Sequence, residues 1–383
     1  MKSQLTATDL GHLRRALELA ERGRGRVSPN PLVGAVVVRE DRVIGEGWHA
    51  ELGDLHAERA ALADCASRGE DPAGATMYVT LEPCAHQGRQ PPCVEAVLEA
   101  GIGRVVIASE DPSEKASGRG PGILRDGGVA VELAAGAEAA AARLQNQPFR
   151  KHARTGLPLV TLKLAMSLDG QTATAPGDSP WISGEQSRAL VHHWRAEHDA
   201  IAAGIGTVFA DDPLLTARPG GRHFNRIAGE MTTTVDPRQP LRAIFDSQAR
   251  LPLDSRLLAT LDQSPVLVFT SPDAAPSRVT ALEDAGAEVF AVSGETEAAR
   301  VTSALTELGG RNITSLFLEG GKTLASAFQS ADQLDESRTF IAPILLGGQG
   351  VQQVDPAPRV TALHSEVEQV GEDVLVTARY KEW

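Results

Sequence analysis

The chain has 383 residues, of which 42% are hydrophobic and 23% are charged, a balance typical of a soluble globular protein with two or three domains. A net charge of −13 without a basic half argues against a nucleic-acid binder. The three cysteines, the absence of an apolar leader and the lack of an apolar run of about 18 residues predict a cytoplasmic protein with no membrane contact.

The first part of the chain alternates predicted helices and strands. Thr8 is expected to cap a helix that ends at the Gly-rich segment 23–25. A turn at 28–31 leads to a hairpin of strands 33–38 and 43–48. The further elements are helices at 57–68, 93–100, 121–127 and 135–154, and strands at 76–81, 104–109 and 129–133. Such alternation predicts a sheet layered with helices, and therefore an α/β fold.

A domain boundary is predicted at about residue 156, which divides the chain into domains 1–155 and 156–383. The predicted strands of the second domain are 159–167, 200–204, 242–247, 265–270, 288–292, 315–319, 338–342 and 374–380. Its predicted helices are 184–198, 277–285, 295–308 and 322–330. Residues 218–240 lack periodicity and are expected to form a long loop.

One group of residues has the pattern of a catalytic zinc site. His56, Cys84 and Cys93 offer one imidazole and two thiolates, which hold zinc with one position open for water. Glu58 reaches the same ion only from a helix start, where it would carry a proton between water and a leaving amine. This is the pattern of zinc nucleobase deaminases, although eight residues separate these cysteines instead of two. A structural zinc completed by His86, or unrelated core cysteines, remain alternatives.

The second domain contains weaker signals for an anion site. It has no Gly-x-Gly-x-x-Gly after a strand, so a Rossmann site is not predicted. Paired glycines after the strand at 315–319 and a Gly-rich turn at 204–207 can each bring backbone N–H groups to a phosphate. Such turns are also common in proteins where they bind no ligand. Lys163, Arg195 and Arg218 are cations that could meet an anion or lie on the surface.

The chain resembles the bifunctional deaminase-reductase family of riboflavin biosynthesis, of the RibD type, over nearly its full length. The matching segments are 29–35, 56–58, 80–84, 88–89, 92–93, 117–120, 161–163, 167–170, 195–196, 206–208, 210–213, 215–216, 319–321 and 341–343. The long gap between the cysteines is this family's own form. The resemblance implies a cytidine-deaminase-like three-layer α/β/α domain followed by a dihydrofolate-reductase-like α/β domain.

The resemblance also implies two consecutive reactions on a small phosphorylated pyrimidine. The first is hydrolytic deamination of 2,5-diamino-6-(5-phosphoribosylamino)pyrimidin-4-one with one Zn²⁺. The second is reduction of the ribosyl side chain by NADPH, which gives 5-amino-6-(5-phosphoribitylamino)uracil. The dihydrofolate-reductase-like fold binds NADPH without a Rossmann fingerprint, and a homo-oligomer is expected.

Site residues are carried over from the family position by position. His56, Cys84 and Cys93 would be zinc ligands, and Glu58 would be the catalytic proton carrier. The residues expected to bind substrate are Asn30, His49, His86 and Arg89 in the deaminase and Lys163, Ser179, Arg195, Leu215, Arg218 and Glu319 in the reductase. In the reductase, Arg195 and Arg218 would meet the phosphate as bidentate partners. The residues expected to bind NADPH are Met166, Trp181, Thr207, Asp211, Ser247, Gly321, Lys322, Thr323, Leu324, Ala325, Ser326 and Ala327.

The chain departs from the family pattern at a few positions. Ala85 and Gln87 replace Ser and His, residues 113–114 replace Asn-Pro, and Lys322 stands where Pro or a small residue is common. Two other functions are considered. One is a nucleoside or tRNA deaminase with a C-terminal specificity module, and the other is a zinc-stabilised protein that binds a phosphorylated pyrimidine without converting it.

Overall fold

The structure is a computed structural model that describes residues 5–88, 90–114, 116, 118–172, 181–219, 222–225, 230–233, 238–347 and 358–383, without the side chains of 222–225 and 230–233. The chain forms two compact units. The first comprises the described parts of Met1–Thr155 and Arg222–Thr232 together with Trp383. The second comprises those of Gly156–Gly221 and Thr233–Glu382.

The first unit is built on a five-stranded sheet. Its elements in chain order are α1 (Ala7–Glu21), β1 (Gly34–Arg39), β2 (Arg42–Trp48), α2 (Ala57–Ser67), β3 (Thr76–Val79), α3 (Cys93–Glu99), β4 (Arg104–Ile107), α4 (Arg119–Asp126), β5 (Ala130–Leu133), α5 (Ala137–Gln145) and α6 (Gln147–Thr155). The strand order is β2-β1-β3-β4-β5. β1 runs antiparallel to β2 and β3, whereas β3, β4 and β5 are parallel.

Apolar residues cover both faces of this sheet. Successive strand residues point to opposite faces, and β1 is buried along nearly its whole length. Val36 packs in one cluster with Leu17 of α1, while Val37 packs in another with Ala61 of α2. Helices therefore lie on both faces, which confirms the predicted three-layer arrangement.

The second unit is built on a nine-stranded sheet. The remaining elements in chain order are β6 (Leu159–Ser167), α7 (Glu185–Glu197), β7 (Ala200–Gly204), α8 (Ile205–Asp211), β8 (Arg222–Asn225), β9 (Glu230–Thr233), β10 (Leu241–Phe245), a 3-10 helix (Leu258–Thr260), β11 (Val266–Thr270), α9 (Pro276–Asp284), β12 (Glu288–Ala291), α10 (Glu297–Gly310), β13 (Ser315–Leu318), α11 (Lys322–Ser330), β14 (Glu336–Ala342), β15 (His364–Val370) and β16 (Asp373–Arg379). The strand order is β12-β11-β10-β7-β13-β6-β14-β16-β15. The strands β8 and β9 form a separate two-stranded sheet and, apart from Thr233, belong to the first unit. All neighbours from β12 to β14 are parallel, and β16 is antiparallel to both of its neighbours.

Asp373 holds the start of α7 from a distant point in the chain. The N-cap of α7 is Gly184, which has no side chain to bond the free N–H groups of the first turn. The buried Asp373 carboxylate accepts hydrogen bonds from the Gly184 N–H at 2.8 Å and from the Ser187 hydroxyl at 2.6 Å. β16 thereby fixes the helix that carries Arg195.

The predicted start of the first helix was wrong. Thr6 is the N-cap of α1, and its hydroxyl accepts from the Asp9 N–H at 3.1 Å while Asp9 accepts from the Thr6 N–H at 2.8 Å. This is a capping box, which needs an acidic or amide residue three positions after the cap. The residue three positions after Thr8 is Gly11, which has no side chain to accept a hydrogen bond from the N-cap N–H.

The helix predicted over 135–154 is in fact two helices, α5 and α6. Asn146 lies between them, and its side-chain amide makes hydrogen bonds of 2.8 Å to both the N–H and the carbonyl of Leu32. Residues 218–240 were predicted as a loop, but β8 and β9 lie among the described residues there. The helix α8 and the edge strand β15 were also not predicted. Within the described residues, no helix has both the length and the apolar character needed to cross a membrane.

Two glycines of β2 let α2 lie unusually close to the sheet. A Cβ on Gly45 would lie 2.3 Å from Cys65 Sγ, and a Cβ on Gly47 would lie 2.2 Å from the Ala61 nitrogen. Real Cβ atoms do not approach other atoms this closely, so α2 would have to move away from any side chain here. The contact thus fixes the position of the helix that begins after His56.

We expect Gly47→Ala to destabilise the first unit by roughly 1–3 kcal/mol or more, because the clash is with helix backbone rather than with a flexible side chain. Gly11→Ala is the control, since a Cβ there has open space in an exposed helix position. That change should be neutral or stabilise by up to about 1 kcal/mol. Urea unfolding of both variants measures the difference, and an unchanged midpoint for Gly47→Ala would contradict the close approach.

Candidate functional site

Three candidate metal ligands converge beside the sheet of the first unit. His56 is the N-cap of α2 and Cys93 is the first residue of α3, while Cys84 lies in the loop between β3 and α3. His56 Nδ1 lies 3.6 Å from Cys84 Sγ and 3.4 Å from Cys93 Sγ. Among the residues that the structure describes, no fourth His, Cys, Asp or Glu joins this cluster, so His86 does not close it.

The spacing of these atoms fits a tetrahedral zinc ion. Zinc bonds of about 2.3 Å to sulfur and about 2.0–2.1 Å to nitrogen place those ligand atoms roughly 3.6 Å apart, close to the separations observed. The thiol of Cys93 and the imidazole of His56 lower the pKa of Cys84 to about 4, against the opposing effect of burial. A zinc ligand must be a thiolate, and three ligands leave the open position of a catalytic site.

Glu58 lies beside this trio. It is in the first turn of α2 and only 3% exposed, and its side chain interacts with that of Cys93. Burial raises the pKa of Glu58 to about 7, and the negative charge of Cys84 acts in the same direction. A carboxyl group with such a pKa both accepts and releases a proton near neutral pH.

Asn30 and His49 form a hydrogen-bonded pair next to His56. The rings of His49 and His56 meet edge to face, with centroids 5.4 Å apart. His49 Nδ1 lies 3.1 Å from the Leu55 carbonyl, which only accepts, so Nδ1 carries the proton. His49 Nε2 therefore accepts from Asn30 Nδ2 at 3.1 Å, which leaves Asn30 Oδ1 facing away from the pair as an acceptor. Burial lowers the pKa of His49 and favours this neutral form.

The other predicted substrate contacts of the first unit are described less fully. His86 is half-buried, and its Nδ1 is buried without a hydrogen-bond partner among the described residues. Arg89 lies outside the described residues. Of the two departures beside Cys84, Ala85 packs against the apolar core, whereas Gln87 is exposed.

In the second unit, predicted cofactor contacts gather at one edge of the sheet. The neighbouring strands β10, β7, β13 and β6 are parallel, so their carboxyl ends share an edge. Met166 is near the end of β6, Ser247 follows β10, and Thr207 lies in α8 directly after β7. A Cβ on Gly321, the N-cap of α11, would lie 4.0 Å from Thr207 Oγ1, so these two turns are adjacent.

The remaining predicted cofactor contacts lie nearby in the chain or on the surface. The first turns of α11 contain Lys322, Thr323, Leu324, Ala325, Ser326 and Ala327. Asp211 is the last residue of α8 and is exposed. Trp181 is 62% exposed, and the Arg188 guanidinium lies 5.0 Å from its ring centroid. Ser179 falls outside the described residues.

Arg195 and Glu319 form a buried bidentate ion pair. Arg195 Nε lies 2.5 Å from Glu319 Oε1, and Nη2 lies 2.9 Å from Oε2. A third Arg195 donor, Nη1, bonds the Thr216 carbonyl at 3.2 Å. The two adjacent N–H donors of Arg195 that were expected to meet a phosphate are therefore bonded to Glu319. With the bond to Thr216, three of the five guanidinium N–H donors are used, and two are left for another ligand.

Lys163 lies close to this ion pair with no ion pair or hydrogen bond of its own among the described residues. Burial lowers its pKa, the charge of Arg195 lowers it further, and Glu319 opposes both. A half-buried ammonium group without a bonded partner is costly and is therefore suited to an anionic or polar ligand.

His192, Leu215 and Arg218 surround the same place. His192 precedes Arg195 by three positions on α7, and its Nδ1 accepts from the Arg218 N–H at 3.3 Å. Burial and the nearby arginines lower the pKa of His192 to about 4, so it is neutral near pH 7. Leu215 is buried, and its backbone adopts the left-handed conformation with φ 51°. Sequence reasoning did not single out His192, although its spacing from Arg195 on one helix face was a signal.

Two buried acids beside the metal ligands were also missed. Glu82 is 4% exposed and Asp111 is 7% exposed, and neither has a lysine or arginine paired with it among the described residues. Asp111 is close enough to His86 and Cys84 for their charges to affect its pKa, which burial raises. The segment from Thr80 to Cys84 was recognised as matching the family, but no role was assigned to Glu82 within it.

Family models match both halves of the chain. Residues 6–109 match the cytidine and deoxycytidylate deaminase zinc-binding region, and residues 158–376 match the RibD C-terminal domain. The two matches together account for the zinc-binding residues in the first unit and for a reductase domain that uses a nicotinamide cofactor in the second.

The chain is also similar to complete proteins and solved structures. It is 37% identical to the riboflavin biosynthesis protein RibD of Actinobacillus pleuropneumoniae, over 97% of this chain and 95% of that protein. RibD of Escherichia coli is likewise 37% identical, over 95% of this chain and 97% of that protein.

A structure of Acinetobacter baumannii RibD is 35% identical with a TM-score of 0.81, and it covers 98% of this chain and 99% of that one. A Thermotoga maritima diaminohydroxyphosphoribosylaminopyrimidine deaminase/5-amino-6-(5-phosphoribosylamino)uracil reductase is 34% identical with a TM-score of 0.79 over the same shares. These matches span both units and favour a bifunctional enzyme over the two alternative functions. The chain therefore belongs to the RibD family of bifunctional deaminase/reductases of riboflavin biosynthesis.

Proposed function

We propose that residues 1–155 deaminate 2,5-diamino-6-(5-phosphoribosylamino)pyrimidin-4-one and that residues 156–383 then reduce its ribosyl side chain, giving 5-amino-6-(5-phosphoribitylamino)uracil. The observation that carries the proposal is the trio of His56, Cys84 and Cys93 at zinc-ligand spacing, with Glu58 buried beside it. The similarity to complete deaminase/reductases supports the order of the two reactions and the identity of the substrate.

In the deaminase, His56, Cys84 and Cys93 hold the metal and Glu58 carries the proton. When bound, zinc activates water and polarises the reacting centre. Glu58 takes a proton from water as the water oxygen bonds to the ring carbon. Glu58 then delivers that proton to the amine nitrogen, and the carbon–nitrogen bond breaks as ammonia leaves; its pKa of about 7 suits both transfers.

Asn30, His49 and His86 orient the pyrimidine ring. The bond to His49 holds the Asn30 amide in one orientation, so that its oxygen accepts from an N–H group of the ring. His86 Nδ1, which lacks a partner among the described residues, offers a second polar contact. Arg89, which lies outside the described residues, is expected to bind the same substrate on the strength of the family resemblance alone.

In the reductase, the residues around Arg195 bind the phosphorylated sugar. The nicotinamide cofactor, when bound, would supply a hydride to the sugar carbon that carries the amine. The bond between that carbon and the sugar-ring oxygen breaks, and this oxygen takes a proton to become a hydroxyl. Lys163 and the free N–H groups of Arg195 contact substrate oxygens, while Glu319 holds Arg195 in place. Leu215 and Arg218 complete the substrate site, and the turns at Thr207 and Gly321 bind the cofactor, together with the other residues carried over from the family.

The proposal includes three finer points that rest on family membership. The nicotinamide cofactor is NADPH, the protein is a homo-oligomer, and it acts in the cytoplasm. The paired turns after β7 and β13 support a phosphate-bearing cofactor, because backbone N–H groups there approach an anion without hindrance.

A coupled assay run with and without a chelator tests whether deamination and reduction take place in separate halves of the chain. Removal of zinc should stop ammonia release from the diamino substrate, because the proposed zinc ligands His56, Cys84 and Cys93 lie in the first half. Oxidation of NADPH with the already deaminated substrate should continue at its original rate. Loss of both activities, or of neither, would count against a metal-dependent deaminase joined to a metal-independent reductase.

Glu58→Gln should lower the rate of ammonia release by roughly 10²- to 10⁴-fold, the usual contribution of a positioned proton carrier. Zinc content should stay at that of the unmodified protein, because Glu58 is not a ligand. Reduction of the deaminated substrate is the internal control and should be unchanged. A variant that loses its zinc would show that Glu58 has a structural part instead.

Lys163→Ala should lower the reductase rate by roughly 10²-fold, since it removes a positioned charge from the proposed substrate site. Ammonia release should not change. The matched control is Lys381→Ala, because Lys381 pairs with Asp332 at 3.0 Å at the surface. Equal losses in the two variants, or an intact reductase in Lys163→Ala, would remove Lys163 from the site.

A further inference from the structure

Glu82 lies two residues before Cys84 and has an unusual set of partners. Its carboxylate is buried, and Oε2 accepts from the Gly118 N–H at 3.2 Å while Oε1 accepts from the Gly120 N–H at 3.2 Å. A longer contact of 3.5 Å joins Oε2 to the Asp111 N–H. The donors are backbone N–H groups of Asp111, in the loop that follows β4, and of Gly118 and Gly120, where that loop enters α4.

The same contacts make Glu82 the cap of α4. The N-cap of that helix is Gly118 in the left-handed conformation, with φ 73°, and the helix has no cap from its own side chains. The first N–H groups of a helix need an outside acceptor, and a negative charge there also interacts well with the helix dipole. Glu82 lies 36 residues before Gly118 in the chain and supplies both the acceptor and the negative charge.

The loop held in this way packs directly against the segment that carries Cys84. A Cβ on Gly120 would lie 2.2 Å from the Pro83 carbonyl oxygen, so α4 begins in contact with that segment. The Glu82 N–H also bonds the Ser109 carbonyl at 3.0 Å, where the loop leaves β4. The loop brings Asp111 to the neighbourhood of His86 and Cys84.

We infer that Glu82 is a positioning residue for the deaminase, which holds Asp111 and the entry into α4 at Gly118 as a wall of the pyrimidine site. Among the described residues its carboxylate accepts from backbone N–H groups and bonds no metal ligand, so it acts by satisfying these buried N–H groups. The inference rests on the deaminase activity proposed above. If it holds, loss of the carboxylate should weaken substrate binding more than it slows the reaction of bound substrate.

Glu82→Gln tests this, because an amide of the same shape turns one donor toward N–H groups that need an acceptor. The KM for the diamino substrate should rise roughly tenfold, the effect of one lost buried hydrogen bond, while kcat changes little. Zinc content and the reductase rate should stay at their unmodified values. Gly120→Ala, which displaces the same loop and leaves Glu82 in place, should raise the KM in the same direction.

Asp9→Asn is the matched control. Asp9 is also a buried carboxylate in the first turn of a helix, and it accepts from the Thr6 N–H and from Arg104. Arg104 begins β4, so this network lies at the opposite end of that strand from the loop. Asp9→Asn should lower thermal stability as Glu82→Gln does, but leave the KM unchanged.

The possible results separate this inference from the proposed function. An unmodified protein that releases no ammonia would end the proposed function itself. An active unmodified protein with the same KM in Glu82→Gln, or with an equal rise in Asp9→Asn, would overturn the inference alone. Loss of zinc from Glu82→Gln would also overturn it, since Glu82 would then maintain the metal site rather than the loop.

Discussion

The unbonded N–H groups at helix N-termini are the constraint that shapes both units. Helices that follow parallel strands begin at the same edge of the sheet, so their unsatisfied donors gather there. In the first unit α2 begins directly after its N-cap His56, α3 begins at Cys93, and α4 is capped by Glu82. In the second unit α8 and α11 begin after the N-caps Gly204 and Gly321, which have no side chain to bond these donors. The proposed metal and anion sites therefore lie at the edges of the sheets where these N–H donors need acceptors.

The two units satisfy their buried charges in different ways. Around Cys84 the thiols and imidazole lie at distances that suit a metal cation. Around Arg195 the charges already pair within the protein, because Glu319 occupies the guanidinium fork. The first group of residues thus fits a metal ion, whereas the second is held by its own ion pair, with Lys163 close to it.

Much of this could be predicted from the chain alone, and the errors have identifiable causes. His56, Glu58, Cys84 and Cys93 were predicted to converge, because a helix start is the one place where the first two can face one point. The prediction for Thr8 failed because the acidic partner of a capping box lies three residues after Thr6. Local composition also could not show that helix 135–154 is interrupted, since the reason is a bond between Asn146 and Leu32.

The sequence by itself determined the zinc-ligand types, the alternation of helices and strands and, through its motifs, the family. These features depend on residue type and short spacing, which are local properties. Only the tertiary structure decided that Glu82 caps α4, that Asp373 caps α7, and that Glu319 takes the fork of Arg195. Each of these contacts joins residues far apart in the chain, and a carboxylate selects its partner by proximity after the sheets have formed.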